Sequence, residues 1–172
     1  LIYAYRHNGS WTKCSIHEDN HPHTNSGKWS SMASDSNGKL HISHYCETGS
    51  ELLYTTDKSG SWCTEVVHTG EDLDVGRYCA IAVDGNDDIH IAYNYHETNL
   101  VSEVDHEEIW YAKYASAAWT TEQAHAITTS GNGPWLDTGI NISLAVTDGG
   151  QPHITLDEDF GIEAGTGTAW LI

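Results

Sequence analysis

Three stretches of this chain repeat one another, and that repetition restricts the fold more than any other property of the sequence. Around Ala33, Ala82 and Ala145 it reads SGKWSSMASDSNGKLHISHY, VGRYCAIAVDGNDDIHIAYNY and TGINISLAVTDGGQPHITLDED. These share a Gly, an alternating run through the Ala, an Asp-rich turn, and then His-Ile. A second motif lies between them: LIYAYRHNGSW, LLYTTDKSGSW and IWYAKYASAAW, closed by Trp11, Trp62 and Trp119 at spacings of 51 and 57 residues. Self-similarity at such a period marks a repeat architecture, in which each unit buries its apolar face against the next. A side chain that recurs in every unit therefore serves the unit. One that breaks the pattern is the better candidate for function.

Each unit divides into four short strands. In the second, Tyr78 to Val83 is followed by the turn DGNDD, then Ile89 to Tyr95, Ile109 to Tyr114 and Trp119 to Ala124. The alternation of polar and apolar residues in these runs has the period of a half-buried strand. The first unit repeats the plan with DSNG, KLHISHY, ELLYTT and SWCTEVV. Trp, Tyr, Thr, Ser, Asn and Gly are abundant beside a single Met and a single Phe, which suits β structure broken by turns. The expectation is an all-β chain of β-propeller blades, each a four-stranded antiparallel meander. The units fall at 1–24 (partial), 25–73, 74–136 and 137–172 (partial). Opening and stopping inside a repeat, at Leu1 and at TAWLI, the chain holds about three blades of a larger ring and reads as a piece of something longer.

The pattern A-x-D-x-x-G-x-x-H-I-x-x-Y, followed by L-x-Y and then G-S-W, resembles the BNR, or sialidase-like, propeller repeats of secreted proteins. Thr55, Asp57 and Trp62 match the Asp-box of that family, with Gly60 one position late. The resemblance implies architecture and an extracellular or cell-surface setting. It does not imply one activity, because such repeats carry many. Sialidase chemistry resembles a cluster of arginines around a carboxylate, and this chain has only Arg6 and Arg77.

Seven Lys and Arg face 25 Asp and Glu, a formal net charge of −18. Such a surface repels phosphate backbones and anionic lipid, so nucleic-acid partners are not expected. No stretch approaches the roughly 18 to 20 apolar residues of a membrane helix, so membrane insertion is not expected. Cys14, Cys46, Cys63 and Cys79 contain no Cys-x-x-Cys pair, which favours disulfides over zinc. Cys46–Cys79 is the expected bridge, leaving Cys14 with Cys63. Asn8-Gly9-Ser10 and Asn141-Ile142-Ser143 fit the glycosylation acceptor pattern, and Asn8 falls on an expected hairpin tip.

His41, His90 and His153 recur at one strand position in every unit, and Asp35 and Asp84 open the turn before two of them. Repetition argues for structural use: a capped turn and a hydrogen-bonded imidazole. Trp11, Trp62 and Trp119 are expected between adjacent units. Departures from the repeat are the functional candidates. The loop HEDNHPHTNSGKW carries His21 and His23, whose spacing could hold a metal. The longer connection HETNLVSEVDHEE carries Glu97, Glu103, Asp105, Glu107 and Glu108, oxygen ligands that suit calcium, the one cofactor the sequence suggests. A solvated acidic loop is the plain alternative. The same end of the fold should present this acidic insertion with His17 to Trp29, Arg77, Tyr78, Tyr95, His96 and Trp135, rings and polar groups of the kind that hold a sugar.

The expected function is an extracellular binding or assembly module recognising a glycan or a protein, with self-association completing the ring. Two further readings stay open: the propeller of a secreted polysaccharide hydrolase or lyase working through paired carboxylates, and a structural subunit of a surface layer or filament.

Overall fold

The computed structural model describes residues 1–16, 25–70, 74–99, 104–128 and 141–157. Every regular element among them is a strand. A first hairpin pairs β1 (Ile2–His7) with β2 (Ser10–Ser15). Its turn is Asn8-Gly9, both at positive φ (48° and 81°), the backbone that a two-residue hairpin twisting with its strands requires. Asn8 is exposed at this tip, where the sequence places it.

Next come β3 (Ser26–Ser34), β4 (Leu40–Cys46), β5 (Glu51–Thr56) and β6 (Cys63–Thr69), one antiparallel sheet in chain order. A second four-stranded meander follows: β7 (Asp74–Val83), β8 (Ile89–Asn99), β9 (Val104–Ala115) and β10 (Ala118–Thr128). A last hairpin joins β11 (Ser143–Val146) to β12 (Pro152–Thr155). The register repeats: Ala33 faces His41, Ala82 faces His90, and Ala145 faces His153. The expected strands are thus present, and β8, β9 and β10 run further than the alternation suggests. The acidic segment around Glu97 to Glu108, expected as a loop, is mostly a ribbon extending the β8–β9 hairpin. His96 pairs with Glu107 and Glu97 with His106 in its register.

The sheets stack on one another. β7 lies against β3, β4 and β5, and β11 lies against β7 and β8. Leu52 and Tyr54 of one sheet meet Val75, Cys79, Ile81, Ile89, Ile91, Tyr93 and Ala112 of the next in one buried cluster. Residues 41–46 are buried on both faces of β4, as a strand covered from either side must be. Burying each large aliphatic side chain here contributes about 1.5–3 kcal/mol.

Tight turns close each β-pair. Asp35 Oδ1 accepts hydrogen bonds from the amides of Asn37 (2.9 Å) and Lys39 (2.8 Å). Asp84 Oδ1 does the same for Asn86 (2.8 Å) and Asp88 (3.0 Å). In the third unit Thr147 takes this place, its Oγ1 accepting from the Gln151 amide at 3.1 Å. Neighbouring turns are also latched, since Asp87 accepts from the Ser36 amide (2.8 Å) and hydroxyl (2.7 Å).

Candidate functional site

Two of the recurring histidines, His41 and His90, sit in matching buried Asp–His–Tyr sets. His41 Nδ1 meets the Tyr54 hydroxyl at 2.5 Å and its Nε2 faces Asp35 Oδ2 at 3.5 Å. His90 repeats this with Tyr111 (2.5 Å) and Asp84 (3.3 Å). Burial holds both imidazoles below their ordinary pKa, against the opposing pull of the carboxylate, so they are neutral. Both rings are wholly buried. An Asp–His–Tyr set buried in each of the two four-stranded sheets is a packing device, as the repetition predicts. His153 is exposed.

The departure from regularity lies on the inner strands. β3 loses register with β4 around Lys28, and β7 loses register with β8 around Arg77. Gly27 and Gly76 open these bulges at φ 103° and 104°, and a β-carbon on either would collide with the backbone of Leu1 or Leu52. Two residues later, Trp29 (φ 49°) and Tyr78 (φ 52°) are forced into the left-handed region. Bulky aromatic residues seldom adopt it, at a cost of about 1–3 kcal/mol each. The two bulges turn the rings toward each other, with centroids 4.8 Å apart, and Trp29 remains 38% exposed.

The third unit carries the same spacing in sequence, Gly139-Ile140-Asn141. Asn141 accordingly joins Trp29 and Tyr78, with Ser30, Ile142 and Ser143, around an open recess of about 270 Å³. Equivalent positions of three adjacent units thus converge on one surface, offering two rings, an amide and hydroxyls.

Behind the rings is a charged support. Arg77 pairs with Asp74, which also accepts from the Tyr45 hydroxyl. The Arg77 guanidinium lies 5.8 Å from the ring centres of both Trp29 and Tyr45, within cation–π range. Burial, then the Asp74 carboxylate, raises the Tyr45 pKa, so the phenol stays protonated as a donor. Cys79 donates its thiol to the Trp29 carbonyl at 3.1 Å, and burial pushes its pKa up to about 12.

Of the residues expected at a ligand surface, Arg77 and Tyr78 are therefore brought together. Tyr95 is not with them: it stacks on Trp110 (5.1 Å) and on His68 (5.8 Å) in the packing between sheets. His96 lies opposite Asp74 in the β7–β8 register. Trp135, His21, His23 and Glu103 lie outside the described residues, as do the side chains of Glu97 and Asp105. Glu107 and Glu108 are consecutive on β9, so they point to opposite faces, and Glu108 accepts from the Trp110 indole at 2.6 Å. Among the described residues no group of three or more His, Cys, Asp or Glu is placed to hold a metal.

The expected disulfides are corrected. All four cysteines are free thiols, Cys46 and Cys79 buried, Cys14 and Cys63 exposed. The Cys79 thiol is turned to the Trp29 carbonyl inside the β7 bulge, which sequence spacing could not reveal. Trp11 is corrected too: it is 72% exposed, whereas Trp62 and Trp119 pack on tyrosines of the preceding unit. Trp29, the last residue of the loop expected on the ligand face, is at the recess, whereas sequence reasoning passed over Asn141 as a ligand residue. The signal available was the Gly two places before it.

No protein-family model matches the sequence, nor does any curated protein. Among solved structures, the chain is similar to a fucose lectin from Kordia zhangzhouensis in complex with methyl-fucoside. The identity is 17% and the TM-score 0.44, covering 73% of this chain and 82% of that one. At that level the likeness fixes neither fold nor ligand, and the reading of the site rests on its own geometry.

Proposed function

We propose that this chain is an extracellular carbohydrate-binding module whose meanders are propeller blades of the sialidase-like repeat class. Its sugar-facing surface is the recess of Trp29, Tyr78 and Asn141. One observation carries the reading: two aromatic residues held in strained left-handed bulges, side by side, next to an amide and hydroxyls. A sugar ring needs a flat apolar platform for its C–H face and polar partners for its hydroxyls. Strain retained at equivalent positions of two units calls for a use beyond packing.

The favoured ligand is a neutral glycan. Arg77 already carries an ion pair with Asp74, and the net charge of −18 disfavours uronates and sialates. The test is a glycan array followed by titration calorimetry on the neutral hits. Trp29→Asn and Tyr78→Asn serve as controls, since Asn tolerates the left-handed backbone while removing the ring. Saturable binding lost in both variants is expected. Absence of any neutral ligand, or affinity unchanged in both variants, overturns the reading.

A further inference from the structure

Asparagine followed by glycine is among the least stable pairs a chain can hold in water, because no side chain shields the next amide nitrogen from the asparagine carboxamide. The sequence has three such pairs, Asn8-Gly9, Asn37-Gly38 and Asn132-Gly133. The third lies outside the described residues. The first two both sit in turns with a left-handed glycine, at φ 81° and 73°, yet their surroundings differ.

Asn37-Gly38 is held. The Gly38 amide donates to the Asp35 carbonyl at 3.0 Å, so the nitrogen that would attack is engaged. The Asn37 amide donates to Asp35 Oδ1 at 2.9 Å. Its carboxamide donates to Ser36 Oγ and Asp87 Oδ2, each at 3.4 Å, and Asp87 also latches the turn through Ser36. Reaction here requires the turn to open against these bonds.

Asn8-Gly9 is not held. Among the described residues neither the Asn8 carboxamide nor the Gly9 amide has a hydrogen-bond partner. In a two-residue hairpin the ladder bonds belong to the flanking pair, here His7 and Ser10. A β-carbon built on Gly9 would meet nothing within 4 Å, so the turn has room to swing. Asn8, Gly9 and Ser10 are all exposed. Openness is general at this position of the fold: Lys58, Ser59 and Gly60 between β5 and β6, and Ser116 and Ala117 between β9 and β10, are exposed too. The β5–β6 tip is open although its sheet has the first hairpin on one side and the second sheet on the other.

We propose that Asn8 is a site of spontaneous modification in the folded protein, converting to aspartate and isoaspartate. The Gly9 nitrogen attacks Asn8 Cγ and a C–N bond forms. The Gly9 proton passes to the departing nitrogen, and ammonia leaves behind a five-membered succinimide. Water then opens the ring at either carbonyl. Hydrolysis of the Cγ–N bond gives aspartate; hydrolysis at the former Asn8 carbonyl carbon gives isoaspartate, whose main chain runs through Cβ and Cγ. Either product adds a negative charge. Aspartate tolerates the left-handed turn. The extra backbone carbon of isoaspartate does not fit a two-residue hairpin and releases the His7–Ser10 pair. This inference is independent of the glycan reading.

The test follows each asparagine by peptide mapping with mass spectrometry. Protein from a host without N-glycosylation, so that no glycan caps the amide, is incubated folded in mildly alkaline buffer and in parallel in urea. Electron-transfer fragmentation separates isoaspartate from aspartate. In the folded protein the Asn8 peptide should convert roughly tenfold faster than the Asn37 peptide, because Asn37 reacts only from an opened turn. In urea the two rates should come within about twofold, since both asparagines then face an unrestrained glycine. Equal folded-state rates, or a faster Asn37, overturn the proposal. So does an Asn8 that converts in urea but not in the folded protein. A difference that persists in urea overturns it as well, because flanking residues and not the fold would then set the rates.

Discussion

Gly76 lies so close to the backbone of Leu52 that a β-carbon there would come within 2.6 Å of the Leu52 Cα. The contact joins β7 to β5 of the preceding sheet at the point where the bulge throws Tyr78 outward. Gly27 stands in the same relation to Leu1. This close approach is why the motif opens with Gly in these two units.

Gly76→Ala is therefore expected to destabilise the fold by about 2 kcal/mol or more, combining left-handed strain with a backbone collision. Gly60→Ala is the control. It has φ +93° but nothing within 4 Å of the added carbon, so only the strain remains, about 1 kcal/mol. Urea denaturation of both variants reads the difference. Equal losses would mean that the approach to Leu52 does not matter.

Much of the fold was legible because strand period, turn chemistry and repeat all say the same thing. Asp35 and Asp84 announce capped turns, and Ala33 and Ala82 leave room beside His41 and His90. The site was less legible. Nothing in the letters Trp and Tyr encodes a left-handed backbone at Trp29 and Tyr78, because the sheet imposes it through the glycine two residues earlier. The expected acidic loop failed for a different reason: its two sides pair as antiparallel strands, as at His96 and Glu107, although the segment shows no apolar alternation. Trp11 shows the limit of repetition as a guide: it recurs at the position of Trp62 and Trp119, yet on the β1–β2 hairpin it is 72% exposed.

Acid should weaken the fold in two stages. Burial lowers the pKa of His41, His68 and His90 below the ordinary 6.5 of a histidine, so the unfolded chain binds protons more readily than the folded one. Their contribution is complete above pH 6.5 and declines as pH falls from there. Asp35 and Asp84 follow lower down. Burial works upward on their pKa, but the turn amides and the neighbouring histidines outweigh it, leaving both below 3.8. Their stabilisation is intact above 3.8 and is lost as pH drops further. Melting temperature measured across this range should fall in both windows. His68→Gln, which keeps a polar partner for the Tyr93 hydroxyl, should flatten the upper one. A melting temperature constant between about pH 7 and pH 5 would contradict the burial of these rings.

The cysteines give a direct chemical check on how the sheets meet. Cys14 and Cys63 are exposed, on β2 and β6, and should react with a thiol reagent in the native protein. Cys46 is wholly buried at the end of β4. Cys79 is sealed in the β7 bulge, with its pKa raised to about 12 by burial, so almost none is present as the reactive thiolate. Two thiols should therefore titrate natively and four after unfolding in denaturant without reductant. The slow pair should react only as fast as the chain opens. Reductant should leave the melting temperature unchanged, because no crosslink restrains the unfolded state. A count of two in denaturant would place a disulfide in the protein, and one that included Cys79 would undo the Cys79–Trp29 contact on which the shape of the recess depends.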